Sequence, residues 1–398
     1  MSLVVAPFLF WISAVAVFYV YFGYPLLLLI VARRRGDAAL AAQPLPRVTL
    51  FISAYNEKAV IAQKLENSLQ LDYPRQLLQI IVVSDSSDDG TDEVVLRFAA
   101  QGVRLVRQSQ RSGKSAGLNL GFQEAIGEIL VYSDANAIYQ PDAVRRLVEH
   151  FGNPQVGYVV GNARYLDSGN VPSAESEGLY WKLETWLKKK ESAFGSVVGG
   201  DGALYAIRRE LFTQLRPTDI NDLVHPLQII VRGYRGVYEP AAICYESAGD
   251  SFEKEFRRKV RIVSRSFHAV RRTSRVLLPW TYFRHWLCLV SHKILRWFAS
   301  FFLILLLLSS FLLWSHPFFR VAALAQAVFY ALASLGWLAK GRGPRIIYLP
   351  YYFCLVNLAS LFGLIKSFSG SLSSTWQTVR HDEVVTRDSV APLAGRGS

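Results

Sequence analysis

Apolar residues follow two patterns along this chain: long uninterrupted runs near both ends, and short runs in the first half that alternate with polar loops. The long runs are Pro7–Val31, Ile294–Trp314, Phe318–Ala339 and Ile346–Ile365. A bilayer requires about 20 apolar residues, so the first three runs are predicted to span a membrane. The fourth run contains Pro350 and Asn357, and either a complete crossing or a re-entrant segment fits it.

The first long run is followed by three arginines, Arg33–Arg35, and no basic residue precedes it. A cleaved signal peptide has the opposite arrangement, with its charge before the apolar core, so a membrane anchor is favoured. Basic residues concentrate on the cytoplasmic side of spanning helices, which places the carboxyl end of the anchor in the cytoplasm. Four crossings would then put the C-terminal tail outside, whereas a re-entrant fourth run would keep it inside.

The short runs are rich in β-branched residues and are typical of buried strands, with helical patterns between them. The clearest are Val48–Ser53, Gln79–Val83, Val103–Gln108, Ile129–Asn136 and Gln155–Arg164. Strands that alternate with helices form βαβ units and parallel sheets covered on both faces. The sequence therefore predicts an α/β domain with a Rossmann-like, mostly parallel sheet. Its polar loops lie at the carboxyl ends of the strands, where such sheets bind ligands.

These patterns divide the chain into five parts. They are an N-terminal transmembrane anchor (1–36), a cytoplasmic α/β domain (45–250), amphipathic and interfacial helices (251–293), C-terminal transmembrane helices (294–366) and a polar tail (367–398). A hydrophobic content of 51% agrees with a soluble domain joined to membrane helices. The three cysteines are far apart and no Cys/His metal spacing occurs, so neither a zinc site nor a disulfide framework is predicted.

The net charge is +13, and much of the positive charge lies in one amphipathic segment, Glu253–Arg275. Phe256, Val260, Val263 and Phe267 recur on one side of this predicted helix, among basic residues. Because a long apolar run follows soon after, we expect the helix to lie on anionic lipid headgroups. Binding of nucleic acid would rest on charge alone and is not expected.

Acidic residues follow several of the predicted strands: Glu57 after the first, Asp85 after the second and Asp134 after the fourth. Carboxylates brought together at one sheet edge raise each other's proton affinity unless a cation or a hydrogen-bond donor offsets them. Carboxylate and phosphate oxygens are the usual ligands of Mg²⁺ and Mn²⁺. One interpretation is a crevice that holds a divalent cation and a nucleoside; the other is plain strand-ending turns, in which Asp is common.

Two further residues keep two interpretations each. Lys114 lies in a Gly-Lys-Ser sequence, but Gln108 replaces the first glycine of a P-loop, so a P-loop NTPase is excluded. Lys114 is then either a point charge for a diphosphate or an exposed surface lysine. Asp222 opens a helical pattern, where it is either a helix N-cap or a general base aimed into the crevice.

The motifs ISAYNE, VVSDSSDDGT, RSGKSAGLN, VYSDAN, GGDGALYAIRREL and NDL, followed by a basic helix and apolar runs, resemble those of the membrane-embedded family 2 glycosyltransferases. That family includes the cellulose, hyaluronan and poly-N-acetylglucosamine synthases, and the resemblance covers roughly Arg47–Arg275. It implies a GT-A fold, a nucleotide-diphosphate sugar donor that we expect to be a UDP-sugar, Mg²⁺ or Mn²⁺ as cofactor, and inversion at the anomeric carbon.

The resemblance also implies roles for single residues. These are nucleotide-sugar binding by Tyr55, Glu57, Asp85, Lys114 and Asp134, metal binding by Asp134 and Asn136, acceptor binding by Gly200, Asp201, Gly202, Arg258 and Arg261, and catalysis by Asp222. Asp222 would take the proton of an acceptor hydroxyl, whose oxygen attacks the anomeric carbon opposite the diphosphate. One base suffices for this displacement, so a second carboxylate acting as nucleophile is not expected.

The chain departs from the family pattern at three places. Asn136 and Asn221 replace acidic residues, and the segment Arg258–Ile262 stands where the family has Gln-x-x-Arg-Trp, which seats the acceptor end of a growing polymer. Transfer to a lipid-linked or envelope glycan acceptor is therefore favoured, with polymer synthesis kept open. We expect this at the inner (cytoplasmic) membrane, in envelope or exopolysaccharide synthesis, with membrane lipids and possible polysaccharide export proteins as partners. The alternative is a non-catalytic membrane subunit of a polysaccharide export assembly that keeps the fold.

Overall fold

The computed structural model describes residues 5–32, 44–166, 172–247, 252–340 and 344–370. Arg33–Arg35 and nearly all of the predicted polar tail lie outside these ranges. The described residues form one sheet, helices on both of its faces, and a group of apolar helices at the two ends of the chain.

Eight strands form one mixed sheet in the described part of the chain. They are β1 (Val48–Ala54), β2 (Leu78–Ser84), β3 (Val103–Arg107), β4 (Ile129–Asp134), β5 (Ile138–Tyr139), β6 (Val156–Leu166), β7 (Tyr205–Arg208) and β8 (Arg235–Ser247). Their order across the sheet is β3-β2-β1-β4-β7-β6-β8-β5. Strands β3, β2, β1 and β4 are parallel to one another. Strand β7 is antiparallel to both of its neighbours, and β6 pairs in parallel with β8. The predicted mixed, mostly parallel sheet is confirmed.

The strands are apolar on both faces because helices cover the sheet on each side. All seven residues of β1 are buried; Leu50 and Ile52 belong to the core on one face, and Phe51 belongs to the core on the other. In a strand successive side chains point to opposite faces, so a strand covered on both sides reads as a continuous apolar run. This explains why the sequence pattern locates these strands well.

The described part of the chain contains fourteen α-helices, several of them short. They are α1 (Val5–Phe18), α2 (Tyr24–Val31), α3 (Lys58–Leu69), α4 (Thr91–Leu96), α5 (Lys114–Phe122), α6 (Ala143–Glu149), α7 (Pro172–Phe194), α8 (Asn221–Val231), α9 (Phe252–Arg272), α10 (Pro279–Cys288), α11 (Leu295–Trp297), α12 (Ala299–Leu312), α13 (Pro317–Leu338) and α14 (Arg345–Phe368). Two π-helical turns, Tyr19–Gly23 and Leu289–Ile294, join α1 to α2 and α10 to α11.

Glycines let α5 approach the sheet closely. A Cβ atom at Gly117 would stand 2.6 Å from Cγ1 of Val83, and one at Gly121 would stand 2.9 Å from Cγ2 of the same residue. Contacts below 3 Å do not occur for real Cβ atoms, so a larger residue at either position would push the helix away from β2. The close packing fixes the N-terminus of α5, and with it Lys114, at the carboxyl ends of the strands.

Among the described residues, three helical segments are long and apolar enough to cross a membrane: Val5–Val31, α13 and α14. The single span expected at Ile294–Trp314 is different. Here the helix breaks at Phe298, and the two parts Pro279–Trp297 and Ala299–Leu312 meet at an angle of 55°. Because α12 has 14 residues, it is shorter than the about 20 residues that a crossing needs. The pair is therefore a broken span or a re-entrant segment.

The basic helix α9 packs against α14. Its apolar side chains Val263 and Phe267 are buried, and Phe256 makes an edge contact with Phe362 of α14 at 6.0 Å between ring centroids. We expected this apolar side to lie on lipid headgroups; in the structure protein covers much of it. The contact with α14 instead aims a row of arginines from α9 at the carboxyl ends of the sheet.

Candidate active site

The carboxyl ends of the central strands face a cavity of about 950 Å³. The loops after the strands bound it on one side, and α9, α13 and α14 bound it on the other. The residues predicted from the sequence that lie at its wall are Glu57, Lys114, Asp134, Asn136, Gly200, Asp201, Gly202, Asp222, Arg258 and Arg261. Tyr55 and Asp85, which the structure also describes, lie outside this wall. The expected crevice therefore exists and holds ten of the twelve predicted residues.

Asp134 is the last residue of β4 and lies in register with Ser53 of β1. Its carboxylate faces the cavity, and its Oδ1 atom lies 2.6 Å from Nζ of Lys114, the first residue of α5. Lys114 is 19% exposed, so the interpretation as an ordinary surface lysine does not hold. The pair places one cation and one carboxylate side by side at the end of the central strands.

Asp222 lies in the first turn of α8, close to this pair. The helix begins at Asn221 and Ile220 occupies the cap position without a side-chain hydrogen bond, so Asp222 is not the N-cap. The backbone N–H of Gly200 donates to the carbonyl oxygen of Asp222 at 2.5 Å, which fixes the Gly200–Gly202 loop against α8.

Gly202 lies where three functional side chains converge. The position that a Cβ would take at Gly202 is 3.6 Å from both Oδ2 of Asp222 and Nζ of Lys114, and 3.7 Å from Oδ2 of Asp134. A side chain at this position would fill the space between these groups. The absence of one leaves room for a ligand that contacts all three.

The carboxyl group of Asp222 has an unusual environment. Its Oδ1 atom is buried and accepts no hydrogen bond from any described residue. Burial raises the pKa of Asp222 to about 6; the positive charge of Lys114 opposes this shift, and the negative charges of Asp201 and Asp134 add to it. A carboxylate with a pKa near neutrality and a free oxygen atom is suited to accept a proton.

Arg258 and Arg261 reach the cavity from α9. Arg258 donates to Glu255 at 2.7 Å, within the same helix. Burial, followed by the positive charges of Arg265 and Arg258, lowers the pKa of Arg261 to about 10, and Asp134 and Asp222 oppose this shift. Positive charge is therefore concentrated on the side of the cavity that faces the carboxylates, as an anionic ligand requires.

The side chain of Asp85 is buried and makes its hydrogen bonds within the protein rather than at the cavity wall. Its Oδ1 atom accepts hydrogen bonds from Nε2 of Gln108 (2.7 Å) and from the backbone N–H groups of Ser112 (2.8 Å) and Gly113 (2.9 Å). These bonds hold the loop that leads into α5, and the structure thus connects Asp85 with the placement of Lys114. The Oδ2 atom of Asp85 is buried and has no partner among the described residues.

Tyr55 is covered by the same loop. The guanidinium group of Arg111 lies over the ring of Tyr55, 3.8 Å from its centroid. The structure therefore keeps Tyr55 and Asp85 near each other under the loop Gln108–Gly113, separate from the wall of the cavity.

Two sets of supporting contacts were missed from the sequence. Lys188 of α7 donates to Oδ2 of Asp201 at 3.3 Å, and both side chains are largely buried. Beneath Asp222, Nδ2 of Asn221 donates to the Tyr205 hydroxyl group at 2.6 Å, and this oxygen lies 3.1 Å from Nδ1 of His225. Long-range pairs of this kind leave no local signal, because each partner is an ordinary residue of its own helix or strand.

The residues present fit a divalent cation that shares its ligands with a substrate. The described parts of the chain contain no group of three or more His, Cys, Asp or Glu side chains that could hold a metal ion by themselves. Mg²⁺ is usually bound by one or two carboxylates together with substrate phosphates rather than by an all-protein cage. Asp134 and the amide oxygen of Asn136, both at the cavity wall, are suitable protein ligands for a cation whose remaining ligands come from the substrate.

Part of the chain is similar to known glycosyltransferases. Residues 49–216 match the model described as glycosyl transferase family 2. A probable glycosyltransferase of Bacillus subtilis, YdaM, is 29% identical over 239 residues, 54% of this chain and 54% of that protein. Poly-β-1,6-N-acetyl-D-glucosamine synthase of Staphylococcus aureus is 25% identical over 241 residues, 57% of this chain and 58% of that protein. The matches thus span little more than half of each relative.

A solved structure is similar over most of the chain. It is the mannosyltransferase PcManGT from Pyrobaculum calidifontis, determined in complex with GDP-Man and Mn²⁺. The TM-score is 0.70 with 23% sequence identity, over 89% of this chain and 98% of that one. The fold is therefore the GT-A fold, and residues 49–216 are similar to the family 2 glycosyltransferases, as the resemblance implied.

Proposed function

We propose that this protein is an inverting glycosyltransferase. It moves a sugar from a nucleotide-diphosphate sugar to a lipid-linked or polysaccharide acceptor at the cytoplasmic face of the inner membrane, in envelope or exopolysaccharide synthesis. The observation that carries the proposal is the buried carboxyl group of Asp222, with a pKa of about 6 and a free Oδ1 atom, close to the Lys114–Asp134 pair.

In this proposal Asp222 is the base. Its carboxylate takes the proton from the acceptor hydroxyl group, and the oxygen forms a bond to the anomeric carbon while the bond from that carbon to the diphosphate breaks. Attack opposite the leaving group inverts the anomeric configuration. A base with a pKa near 6 is mostly ionised at neutral pH and still accepts a proton effectively.

The leaving diphosphate needs positive charge near it. Lys114 lies within reach of the space beside Gly202, and Arg258 and Arg261 supply positive charge from the opposite wall. A divalent cation, when bound by Asp134 and Asn136, adds charge neutralisation of the diphosphate. Lys114 then exchanges its contact with Asp134 for the diphosphate, which keeps the charges paired before and after the donor binds.

Tyr55, Glu57 and Asp85 are proposed to hold the nucleoside. The Oδ2 atom of Asp85 is a buried acceptor without a partner in the described chain, which suits an N–H donor such as the imide of uracil. Because the loop Gln108–Gly113 covers Asp85, the loop must move for the base to reach it. We therefore propose that the donor is a UDP-sugar.

The cavity wall supports an acceptor that comes from the membrane. Tyr21, Phe329 and Phe353 line it, and they belong to the N-terminal candidate span, α13 and α14 respectively. A pocket that joins catalytic carboxylates to apolar side chains of membrane helices suits a polar head attached to a lipid tail.

The test is turnover by the purified protein in detergent or nanodiscs. UDP- and GDP-sugars are supplied with and without Mn²⁺, nucleotide release is measured, and NMR gives the anomeric configuration of the product. We expect release of one nucleotide, dependent on a divalent cation and lost in Asp222→Asn. Donor binding without any turnover by the wild type would instead support the non-catalytic subunit.

A further inference from the structure

Two aromatic side chains, Tyr165 of β6 and Trp181 of α7, line the same cavity. Their ring centroids are 4.9 Å apart and the rings are tilted by 38°, so the two rings pack against each other and together present an aromatic surface at the cavity wall. Neither residue belongs to the transfer chemistry proposed above. An aromatic surface at a cavity wall contributes a large contact area for an apolar ligand face.

A buried ion pair borders this surface. Nζ of Lys188 lies 5.6 Å from the ring centroid of Trp181 and donates to Oδ2 of Asp201 at 3.3 Å. Both charged side chains are 11% exposed and line the cavity. Burial lowers the pKa of Lys188, but Asp201 and then Tyr238 and Glu184 more than offset this, so its ammonium group stays charged.

An aromatic plane beside paired donor and acceptor groups matches the chemistry of a sugar ring. A pyranose presents an apolar face of C–H groups and a rim of hydroxyl groups. The face packs on an aromatic ring, and the rim requires donors and acceptors at its edge. Trp181 supplies the plane, and Lys188 and Asp201 supply the polar edge.

The position of this aromatic surface favours contact with the acceptor rather than with the donor. Asp201 lies between Gly200, whose N–H group bonds to the backbone of Asp222, and Gly202, beside the Asp222 carboxylate. One short loop therefore contacts the proposed base on one side and, through Lys188, approaches the aromatic surface on the other.

We propose that Trp181 and Tyr165, with the Lys188–Asp201 pair, form a subsite for a sugar ring of the acceptor. This rests on the proposed transferase function. In this subsite α7 supplies Trp181 and β6 supplies Tyr165. It follows that the acceptor carries at least one sugar unit, so a lipid phosphate without a sugar is not the acceptor.

Binding can be tested without turnover. Gluco-, N-acetylgluco- and manno-tetrasaccharides are titrated into the full-length protein by calorimetry. We expect at least one of them to bind the wild type, and Trp181→Ala to weaken that binding by about tenfold or more. Trp181→Phe should recover most of the affinity, and Lys189→Ala, an exposed position on the same helix, should leave it unchanged. If no tetrasaccharide binds the wild type, or Trp181→Ala binds as tightly, the subsite is refuted.

Kinetics separate this inference from the proposed function. The KM for the tetrasaccharide acceptor should rise by about tenfold in Trp181→Ala, whereas Lys189→Ala should keep the wild-type KM and the wild-type rate of donor hydrolysis. A merely structural role of Trp181 would lower the melting temperature without a selective rise in this KM, against the proposal. Efficient transfer to polyprenyl phosphate without a sugar would also overturn it. If the wild type releases no nucleotide, the transferase function is contradicted. The calorimetric titration would still show whether the subsite binds a sugar.

Discussion

Nζ of Lys114 lies 2.6 Å from Oδ1 of Asp134, so the first residue of α5 and the last residue of β4 form an ion pair at the cavity wall. The two residues are 20 positions apart in the chain, and the parallel sheet brings them together because the turn before α5 and the end of β4 lie at the same edge. The pair keeps a carboxylate and an ammonium group ready at the place where a diphosphate and its cation are proposed to bind.

Lys114→Met should weaken donor binding. A charge-assisted contact contributes roughly 1.5–3 kcal/mol, so we expect the Kd for UDP-sugar to rise by about 10- to 100-fold. The measurement is calorimetric titration of the donor in the presence of Mn²⁺. Lys189→Met, an exposed lysine of α7, is the matched control and should bind like the wild type. An unchanged Kd in Lys114→Met would remove Lys114 from the donor site.

Asp222→Asn should stabilise the folded protein, and more so at high pH. The pKa of Asp222 is about 6 in the folded state against an ordinary value of 3.8, so the folded state disfavours the ionised form. That cost is fully present above pH 6, declines as the pH falls below it, and is absent below 3.8. We expect a gain of about 1–3 kcal/mol at pH 8 and none near pH 4.

Thermal unfolding at a series of pH values, in buffer without divalent cations, checks this. Asp72→Asn is a suitable control, since the Asp72 side chain is exposed and pairs with Arg145 away from the cavity. A gain that does not vary with pH would show that burial of the Asp222 charge is not its cause.

The sequence predicts the sheet and the edge at which the candidate site lies because both depend on local patterns. A strand such as β1, covered on both faces, reads as an apolar run, and the loop that follows it contains Glu57 at the expected place. The expected placement of Asp134 at one crevice with the other strand-end residues follows from the same rule, since the carboxyl ends of parallel strands share an edge. Ten predicted residues therefore meet at the cavity wall.

The features that the sequence did not predict depend on packing between distant elements. The position of α9 is set by its contact with α14, which an amphipathic pattern alone cannot distinguish from a contact with lipid. The break at Phe298 interrupts an apolar run without Pro or Gly, so no local signal marks it. The burial of Asp85 under the loop Gln108–Gly113 depends on hydrogen bonds to backbone N–H groups, which any sequence could supply.

Tyr205→Phe should reduce both stability and the turnover rate. The Tyr205 hydroxyl group accepts from Nδ2 of Asn221 at 2.6 Å, directly beside Asp222 in α8. Its removal leaves a buried amide donor without its acceptor, which costs about 1–3 kcal/mol. Thermal unfolding and kcat together check this prediction. A variant with wild-type stability and wild-type kcat would show that this contact does not hold the first turn of α8.

Gly363→Val should disturb the contact between α14 and α9. A Cβ atom at Gly363 would stand 2.7 Å from Cβ of Val263, so a larger side chain must push the two helices apart. Overpacking of this kind costs about 1–3 kcal/mol, and it would also move Arg258 and Arg261 away from the carboxylates. We expect a lower melting temperature and loss of turnover, with normal amounts of protein in the membrane fraction.

Leu358→Val on the same helix is the control for that experiment, because Leu358 is half-exposed and we expect a change in its bulk to leave the contact with α9 intact. Full activity in Gly363→Val would mean that the position of α9 does not matter for the chemistry.

The pH dependence of kcat/KM for transfer from a UDP-sugar, measured for wild type and Asp222→Asn, tests the central claim most directly. We predict that the wild-type rate falls as the pH drops through about 6, where the Asp222 carboxylate takes up a proton. The Asn variant should lose about 100- to 10,000-fold at neutral pH and show no such fall. Turnover by Asp222→Asn at a rate near that of the wild type, with the same pH profile, would contradict the account.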